Sequence, residues 1–361
     1  MAELFKDKFN PEFFDRFITI VKSAYTHFDA QRFLGLIYDG DWEQREMKQR
    51  IRHISMAVRE TFPSSYEEAL HILTDIAPNC RGFEYLFFPD FVERYGLEHW
   101  DTSICALEEL TKYSSAEFAV RPFILRDPEK MMHQMNRWAQ HPHHHIRRLA
   151  TEGCRPRLPW AMALNPLKED PSALFPILDR LKQDPSLYVR KSVANNLNDI
   201  SKDHPDQVKQ IVREWQVNQH PHTDWILKQG CRSLLKKGDV EALRLFGYHL
   251  PTNIRIQNLT LSSRQLSLGD TLTFSFDVRN ESSVPQKLRI EYGMDFMKAN
   301  GRLSRKIFHI STRNNMKGTV HVARHHMFQD LTTRKHYKGL HRLSILINGE
   351  EKARDEFSLY T

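Results

Sequence analysis

Apolar positions in the first 250 residues recur every three or four places, the period of one face of a helix. Met47, Ile51, Ile54, Val58 and Phe62 draw such a stripe over residues 42–62, and Pro63 ends it. Ser64 and Glu67 have the spacing of a capping box, in which a Ser side chain satisfies an orphan amide and the Glu reaches back. A helix is therefore predicted over 66–76. Further helices are predicted over 101–113, from Glu117 onward, and after Asp127-Pro128. Pro142, Pro185 and Pro221 each stand four residues before an apolar position, Ile146, Val189 or Trp225, that opens an amphipathic helix. Arg147 and Arg190 follow the first two. Spacings of 43 and 36 residues form a variable period, which reads as HEAT-like helix pairs stacked into a solenoid. In the copy at Pro185 the two helices are predicted over about 186–200 and 205–217. Between the first two copies lies Arg155-Pro-Arg157-Leu-Pro-Trp160, whose two prolines forbid a continuous helix. Something other than regular stacking must hold that segment.

After Pro251 the period falls to two. Residues 271–278 alternate strictly, and 288–292, 319–322 and 343–347 do so over shorter spans. Leu268-Gly269-Asp270, Arg279-Asn280-Glu281-Ser282 and Asn348-Gly349 supply turns. About seven short strands predict an immunoglobulin-like β-sandwich. It lacks the Cys and Trp of antibody domains, because no Cys follows Cys231 and no Trp follows Trp225. The expected organisation is an α-solenoid over 1–250 followed by a β-sandwich over 251–361.

Composition narrows the class. A chain of 361 residues that is 40% hydrophobic and 27% charged is globular rather than disordered or fibrous. No run approaches the roughly 18 apolar residues of a membrane span, and the first residues lack the basic-then-apolar plan of a signal peptide. A soluble cytoplasmic protein is expected. Cys80, Cys105, Cys154 and Cys231 lie far apart, so free thiols are expected rather than disulfides or a zinc site. The net charge of +7 is unevenly divided. Residues 1–118 carry 13 Lys+Arg against 21 Asp+Glu, residues 119–250 carry 21 against 14, and residues 251–361 carry 18 against 10. An acidic first third joined to a basic remainder points to a polyanionic partner.

Two segments concentrate the chemistry. Lys298, Arg302, Arg305, Lys306, Arg313, Lys317, Arg324, Arg334, Lys335, Lys338 and Arg342 face one acid, Asp330, within 298–342. Such a strip suits a nucleic-acid backbone, since each neutralised phosphate releases counterions. The second segment, Trp138 to Trp160, holds His141, His143, His144, His145, Arg147, Arg148, Glu152, Arg155 and Arg157. Arg148 and Glu152 are four apart, the spacing of a surface ion pair on a helix. The histidines lack the spacing that puts two ligands and a Glu on one helical face, so no metal is expected. Elsewhere, Ser114 and Glu117 fit a capping box. Asp199 follows several Asn near a predicted helix C-terminus, where an acid opposes the dipole.

The strings Glu152-Gly-Cys-Arg-Pro-Arg-Leu-Pro-Trp160 and Glu117-Phe-Ala-Val-Arg-Pro-Phe, with HEAT-like repeats and a β-sandwich, resemble the AlkC branch of the bacterial alkylpurine DNA glycosylases, relatives of AlkD. The resemblance covers essentially the whole chain. It implies excision of N3-alkylated bases, 3-methyladenine and 3-methylcytosine, from duplex DNA without metal or cofactor and without flipping the nucleotide. A monomer is expected, since a chain that wraps DNA needs no partner subunit. Catalytic carboxylates fall on Glu117, Glu152 and Asp199. Arg148, Arg155, Arg157, Arg190 and Lys191 are expected at DNA phosphates, with Arg313, Lys317, Arg324, Arg334 and Lys335 on the second domain. Asn195 stands where AlkD has an aromatic residue, so Trp160, or failing it Trp138, is expected to touch the lesion. The competing reading is a non-enzymatic HEAT scaffold that binds nucleic acid or an acidic protein. Convergence of the three carboxylates separates the two.

Overall fold

The computed structural model describes residues 5–217, 219–330 and 335–360, so Arg334 lies outside the described residues. Helices run as far as Leu245 and strands begin at Ile254, so the change of architecture falls where the periodicity changes. By packing, the chain forms two compact units, Met1–Asp203 with Gln219–Gly230, and His204–Asn218 with Cys231–Thr361. Three helices, Pro205–Gln216, Arg232–Lys237 and Val240–Leu245, thus group with the strands.

The first unit begins with an aromatic core. Phe13, Phe14 and Phe17 of the helix Pro11–Ala24 are buried against Phe33 and Phe87, largely edge to face, the arrangement that the ring quadrupole favours. The helix Met47–Thr61 buries the predicted stripe of Ile51, Ile54 and Val58. It starts later than the stripe suggested because Trp42 sits in a separate 3-10 turn, packed on Phe14 and Tyr38. The helix Tyr66–Ile76 has its predicted bounds. Its cap is Ser65, which accepts from the Glu68 amide at 3.3 Å, one residue later than the Ser64/Glu67 spacing implied.

The repeat is real and has a physical signature. Helices His144–Glu152 and Pro221–Gly230 flank Leu187–Ile200. Ile146 and Val189 are fully buried, whereas in the third copy Ile226 takes the core position beside a half-exposed Trp225. Arg147 donates to the carbonyls of His141 and Pro142 at 3.0 and 2.7 Å. Arg190 donates to those of Asp184 and Pro185 at 2.7 and 2.8 Å. Each repeat arginine therefore staples the turn that precedes its own helix, satisfying carbonyls that the proline turn leaves without helical donors.

The second unit is a two-sheet sandwich. Its strands are β1 (Ile254–Leu261), β2 (Gln265–Ser267), β3 (Thr271–Asn280), β4 (Gln286–Met297), β5 (Leu303–Met316), β6 (Thr319–Met327), β7 (Gly339–Ile347) and β8 (Glu350–Tyr360). One sheet has the order β1-β3-β6 and the other β2-β8-β7-β4-β5. Phe274, Phe276 and Val278 from β3 meet Ile290 and Met294 from β4 and Ile345 from β7 in the core. The alternation that predicted β3 reappears as its burial pattern. Asn348 and Gly349 both have positive φ, 48° and 81°, as a tight β7–β8 hairpin requires.

Three histidines are buried in this sandwich. His326, His336 and His341 surround Phe296 and Phe328, with ring centroids 5.1–6.2 Å apart in this group. Burial pushes His341 below the ordinary imidazole range; its bond to the Tyr337 carbonyl opposes this, and the nearby His336 adds a smaller lowering. A base depressed in the fold is neutral there while the unfolded chain binds a proton, so stability is lost as pH falls below the unfolded value near 6.5. The melting temperature is expected to fall by several degrees between pH 7.5 and 5.5, and the fall should be smaller in His341→Asn. A melting temperature independent of pH would contradict this.

Candidate active site

The three carboxylates come from different elements and meet in one buried line. Glu117 lies in the turn before the helix Val120–Arg126, Glu152 ends the helix His144–Glu152, and Asp199 lies in the last turn of Leu187–Ile200. Two arginines join them. Arg148 donates to Glu117 and lies 3.7 Å from Glu152. Arg155 donates to Glu152 at 2.6 Å and to Asp199 at 3.0 Å. Lys202 completes the line at 3.2 Å from Asp199, and Ser115 donates to Glu117 at 2.6 Å. Acid and base alternate from Glu117 to Lys202, three of each. Glu117, Glu152 and Asp199 are only 9%, 5% and 1% exposed, so the alternation is what lets three acids share a dry place. Burial alone would weaken the guanidinium charges. Glu117 and Glu152 outweigh it at Arg148, and Glu152 and Asp199 do so at Arg155, so both stay above their ordinary pKa.

This geometry revises several sequence expectations. Ser114 and Glu117 form no capping box, because the helix starts only at Val120 and the Glu117 carboxylate turns to Ser115 and Arg148. Arg148 and Glu152 are not a surface pair but part of the buried line. Asp199 is not excused by solvent, since Arg155 and Lys202 offset its position against the helix dipole. Arg148 and Arg155 hold carboxylates. Arg190, expected at a phosphate, donates in the free protein to the carbonyls of its own turn. Arg157 forks onto Asp203 at 2.7 and 3.1 Å with a third of its side chain (35%) exposed, and Lys191 is exposed.

Arg121 was missed by sequence reasoning and answers what holds the proline-broken segment. Fully buried, it donates to the carbonyls of Gly153 at 2.8 Å, Arg155 at 2.9 Å and Met162 at 2.6 and 2.9 Å. Both ends of the segment are thus tied to one planar fork. With no carboxylate bonded to it, burial pushes its pKa down to about 10. Gly153 is needed for the same packing, since a Cβ there would lie 2.5 Å from Val120. Gly153→Ala is expected to lower the melting temperature by several degrees through this clash, and an unchanged melting curve would show that the segment can shift aside.

The aromatic residues also sort themselves. Trp160 is 66% exposed and has φ of 64°, an uncommon conformation for a bulky residue. Lys48 holds its carbonyl at 2.6 Å, and Phe5, Met47 and Lys48 line an open cavity of about 410 Å³ beside it. Trp138 is buried, with its indole N–H donated to Glu108 at 2.6 Å, so it is core and not a lesion contact. The helix that carries Asn195 supplies Tyr188 instead, whose ring lies 4.4 Å from the Arg148 guanidinium. Among the described residues, no group of three or more His, Cys, Asp and Glu could hold a metal ion, and no helix is long and apolar enough to cross a membrane.

Comparison with known proteins agrees with this architecture. Residues 111–234 match the family model described as DNA alkylation repair enzyme, and residues 255–361 match the C-terminal Ig-like domain of the uncharacterised protein YhaZ. Helical repeats of an alkylation-repair kind followed by an Ig-like sandwich define the class. The chain is 49% identical over 360 residues to YhaZ of Bacillus subtilis strain 168, covering 99% of this chain and 100% of that protein. It is 37% identical to the Pseudomonas fluorescens alkylpurine DNA glycosylase AlkC, solved bound to DNA containing an abasic site analog. The TM-score is 0.96, over 99% of this chain and 100% of that one. The chain belongs to the AlkC-type alkylpurine DNA glycosylase family.

Proposed function

We propose that this chain is a monofunctional, monomeric DNA glycosylase that hydrolyses the N-glycosidic bond of N3-alkylated bases, 3-methyladenine and 3-methylcytosine, in duplex DNA. It would need no cofactor and, unlike most enzymes that act on a base, no flipped nucleotide. The observation that carries this reading is the convergence of Glu117, Glu152 and Asp199 on one line. For a scaffold alone such a network is a weak source of stability, because desolvation of the buried charges offsets much of what their pairing returns.

The chemistry suits such a site. An N3-alkylated base already carries positive charge, so it leaves without further protonation. The barrier lies in the cationic sugar left behind as the bond from C1′ to nitrogen breaks. Carboxylates aimed at that cation stabilise the transition state more than the ground state, which is the condition for catalysis. Water then adds to C1′ and its proton passes to one of the acids. Arg148 and Arg155 fix the carboxylates in place before substrate arrives, which avoids reorganisation during the reaction. Tyr188 offers an aromatic face over Arg148, and Trp160 offers an exposed one for the lesion. The test is release of free base from methylated duplex DNA by the purified chain in the presence of a chelator. No release overturns the proposal.

Residues 1–250 would carry the chemistry and 251–361 would grip the duplex. Arg313 on β5, Lys317 in the β5–β6 turn, Arg324 on β6 and Lys335 are exposed and form no ion pair with a described residue, whereas Arg305 and Arg342 are tied to Asp295 and Glu356. β5 and β6 are the edges of their respective sheets. Replacing Arg313, Lys317 and Arg324 by Gln is expected to reduce the slope of log affinity against log salt by about 2 to 3, roughly one per lost phosphate contact. An unchanged slope would assign these residues to another partner.

A further inference from the structure

The chemistry above leaves the tract His141-Pro142-His143-His144-His145 unused. Its rings pile together at the start of the helix that carries Arg148 and Glu152. Centroids of His143 and His144 are 5.3 Å apart, those of His143 and His145 5.3 Å, and those of His144 and His145 4.5 Å. His145 lies 5.4 Å from the Tyr188 ring, which covers Arg148. The imidazoles therefore stand at the outer end of a line of groups that leads through Tyr188 to the catalytic acids.

The surroundings of this cluster are crowded with cationic groups. Lys112 and Arg81 face it, and Arg148 faces it from its own helix. Of the acids nearby, Glu109 is bonded to Lys112 and Tyr113, while Glu108 takes the Trp138 indole and lies 3.8 Å from His141. Thr111 offers its carbonyl to His145 at 3.2 Å. Burial lowers the pKa of His143 first, followed by its neighbouring histidines and Lys112. At His145 burial again leads, the bond to Thr111 opposes it, and His144, Arg148 and Arg81 add to the lowering. His143 Nδ1 is buried without a partner, whereas His144 is exposed. Burial and the positive surroundings thus favour the neutral form at His143 and His145, and a docked anion would oppose both effects.

We propose that His143, His144 and His145 form a proton-linked seat for a phosphodiester of the DNA backbone beside the catalytic line. The inference rests on the reading that this chain binds duplex DNA. A docked phosphate supplies the missing negative charge, so the imidazoles take up protons as DNA binds and release them as it leaves. Ion pairing of a phosphate with an imidazolium is then coupled to pH in the range where histidine titrates, and affinity rises as pH falls, because the complex binds more protons than the free protein.

The experiment measures the affinity of the full chain for a duplex carrying an abasic-site analog between pH 6.2 and 8.0. Calorimetry at pH 6.5 in buffers of different ionisation heat counts the protons taken up. The wild type is expected to bind about tenfold or more tightly at pH 6.2 than at 8.0, with uptake of about one proton or more. In His143→Gln/His144→Gln/His145→Gln both the pH slope and the uptake should be largely lost. If that variant does not fold, His144→Gln alone, an exposed position, should still reduce the uptake. Duplex binding with the same slope and uptake in wild type and variants overturns this proposal and leaves the DNA reading intact. Failure of the wild type to bind duplex at any pH overturns both.

Discussion

Glu152→Gln is expected to slow single-turnover base release by about a thousandfold while the protein still binds duplex. A carboxylate about 4 Å from a developing cation contributes on the order of 4 kcal/mol at an effective dielectric near 20, and each ~1.4 kcal/mol is a factor of ten in rate. Glu152 is the most sensitive of the three because it is the middle acid, bridged to both arginines. The amide keeps the shape but leaves Arg148 and Arg155 with one carboxylate each. Glu117→Gln and Asp199→Asn are expected to act in the same direction, and combined effects should be far from additive because the acids share their arginines. Rapid-quench analysis of free base from methylated duplex measures this. Equal release by wild type and the triple variant would remove these residues from the chemistry.

Arg121→Ala should have the largest effect on stability. The substitution strands the carbonyls of Gly153, Arg155 and Met162, and a buried polar group left without its partner costs about 1 to 3 kcal/mol. A loss on the order of 3 kcal/mol or more is a large part of the roughly 5 to 15 kcal/mol that holds a typical protein folded. Lys should not rescue it, since an ammonium lacks the planar fork that reaches all three carbonyls. Thermal melts, with limited proteolysis between Arg155 and Trp160, report both the global loss and the loosening of the segment. Melting within a degree of wild type would mean that water replaces the fork.

Much of this was legible in the chain because local rules and global packing agree. Helix Tyr66–Ile76 follows from a capping signal before it, and strand Thr271–Asn280 from alternation over 271–278, which it outruns by two residues. The proline-arginine repeat predicted the stacked helices and even the arginines, though not their task. β5 was not legible. It pairs with β4 through two register shifts, and its burial pattern runs in uneven blocks rather than alternating, so the period-two signal is lost. β8 begins Glu-Glu-Lys-Ala-Arg, a charged run that reads as a loop until its neighbours are known. At the site, the acids were found through family resemblance. Spacing alone made Glu117 a cap and Glu152 a surface partner, because sequence distance cannot show that Arg148 reaches a turn more than two dozen residues earlier. Arg121 carries no motif of its own. Its role exists only once the segment it ties has folded over it, whereas the pairings of Arg155 with Glu152 and of Lys202 with Asp199 have the spacing that an i,i+3 rule finds.

The line from Glu117 to Lys202 draws its members from a turn, the end of one repeat helix and the last turn of the next. None of its pairs except the short-range ones within a helix or its end can form before those elements have docked. On the proposed reading, a chain that is partly unfolded, newly made or locally frayed therefore has no assembled set of acids to direct at a sugar. If the proposed reaction leaves a gap in the genetic record, that is a form of safety: the cutting edge exists only in the finished fold.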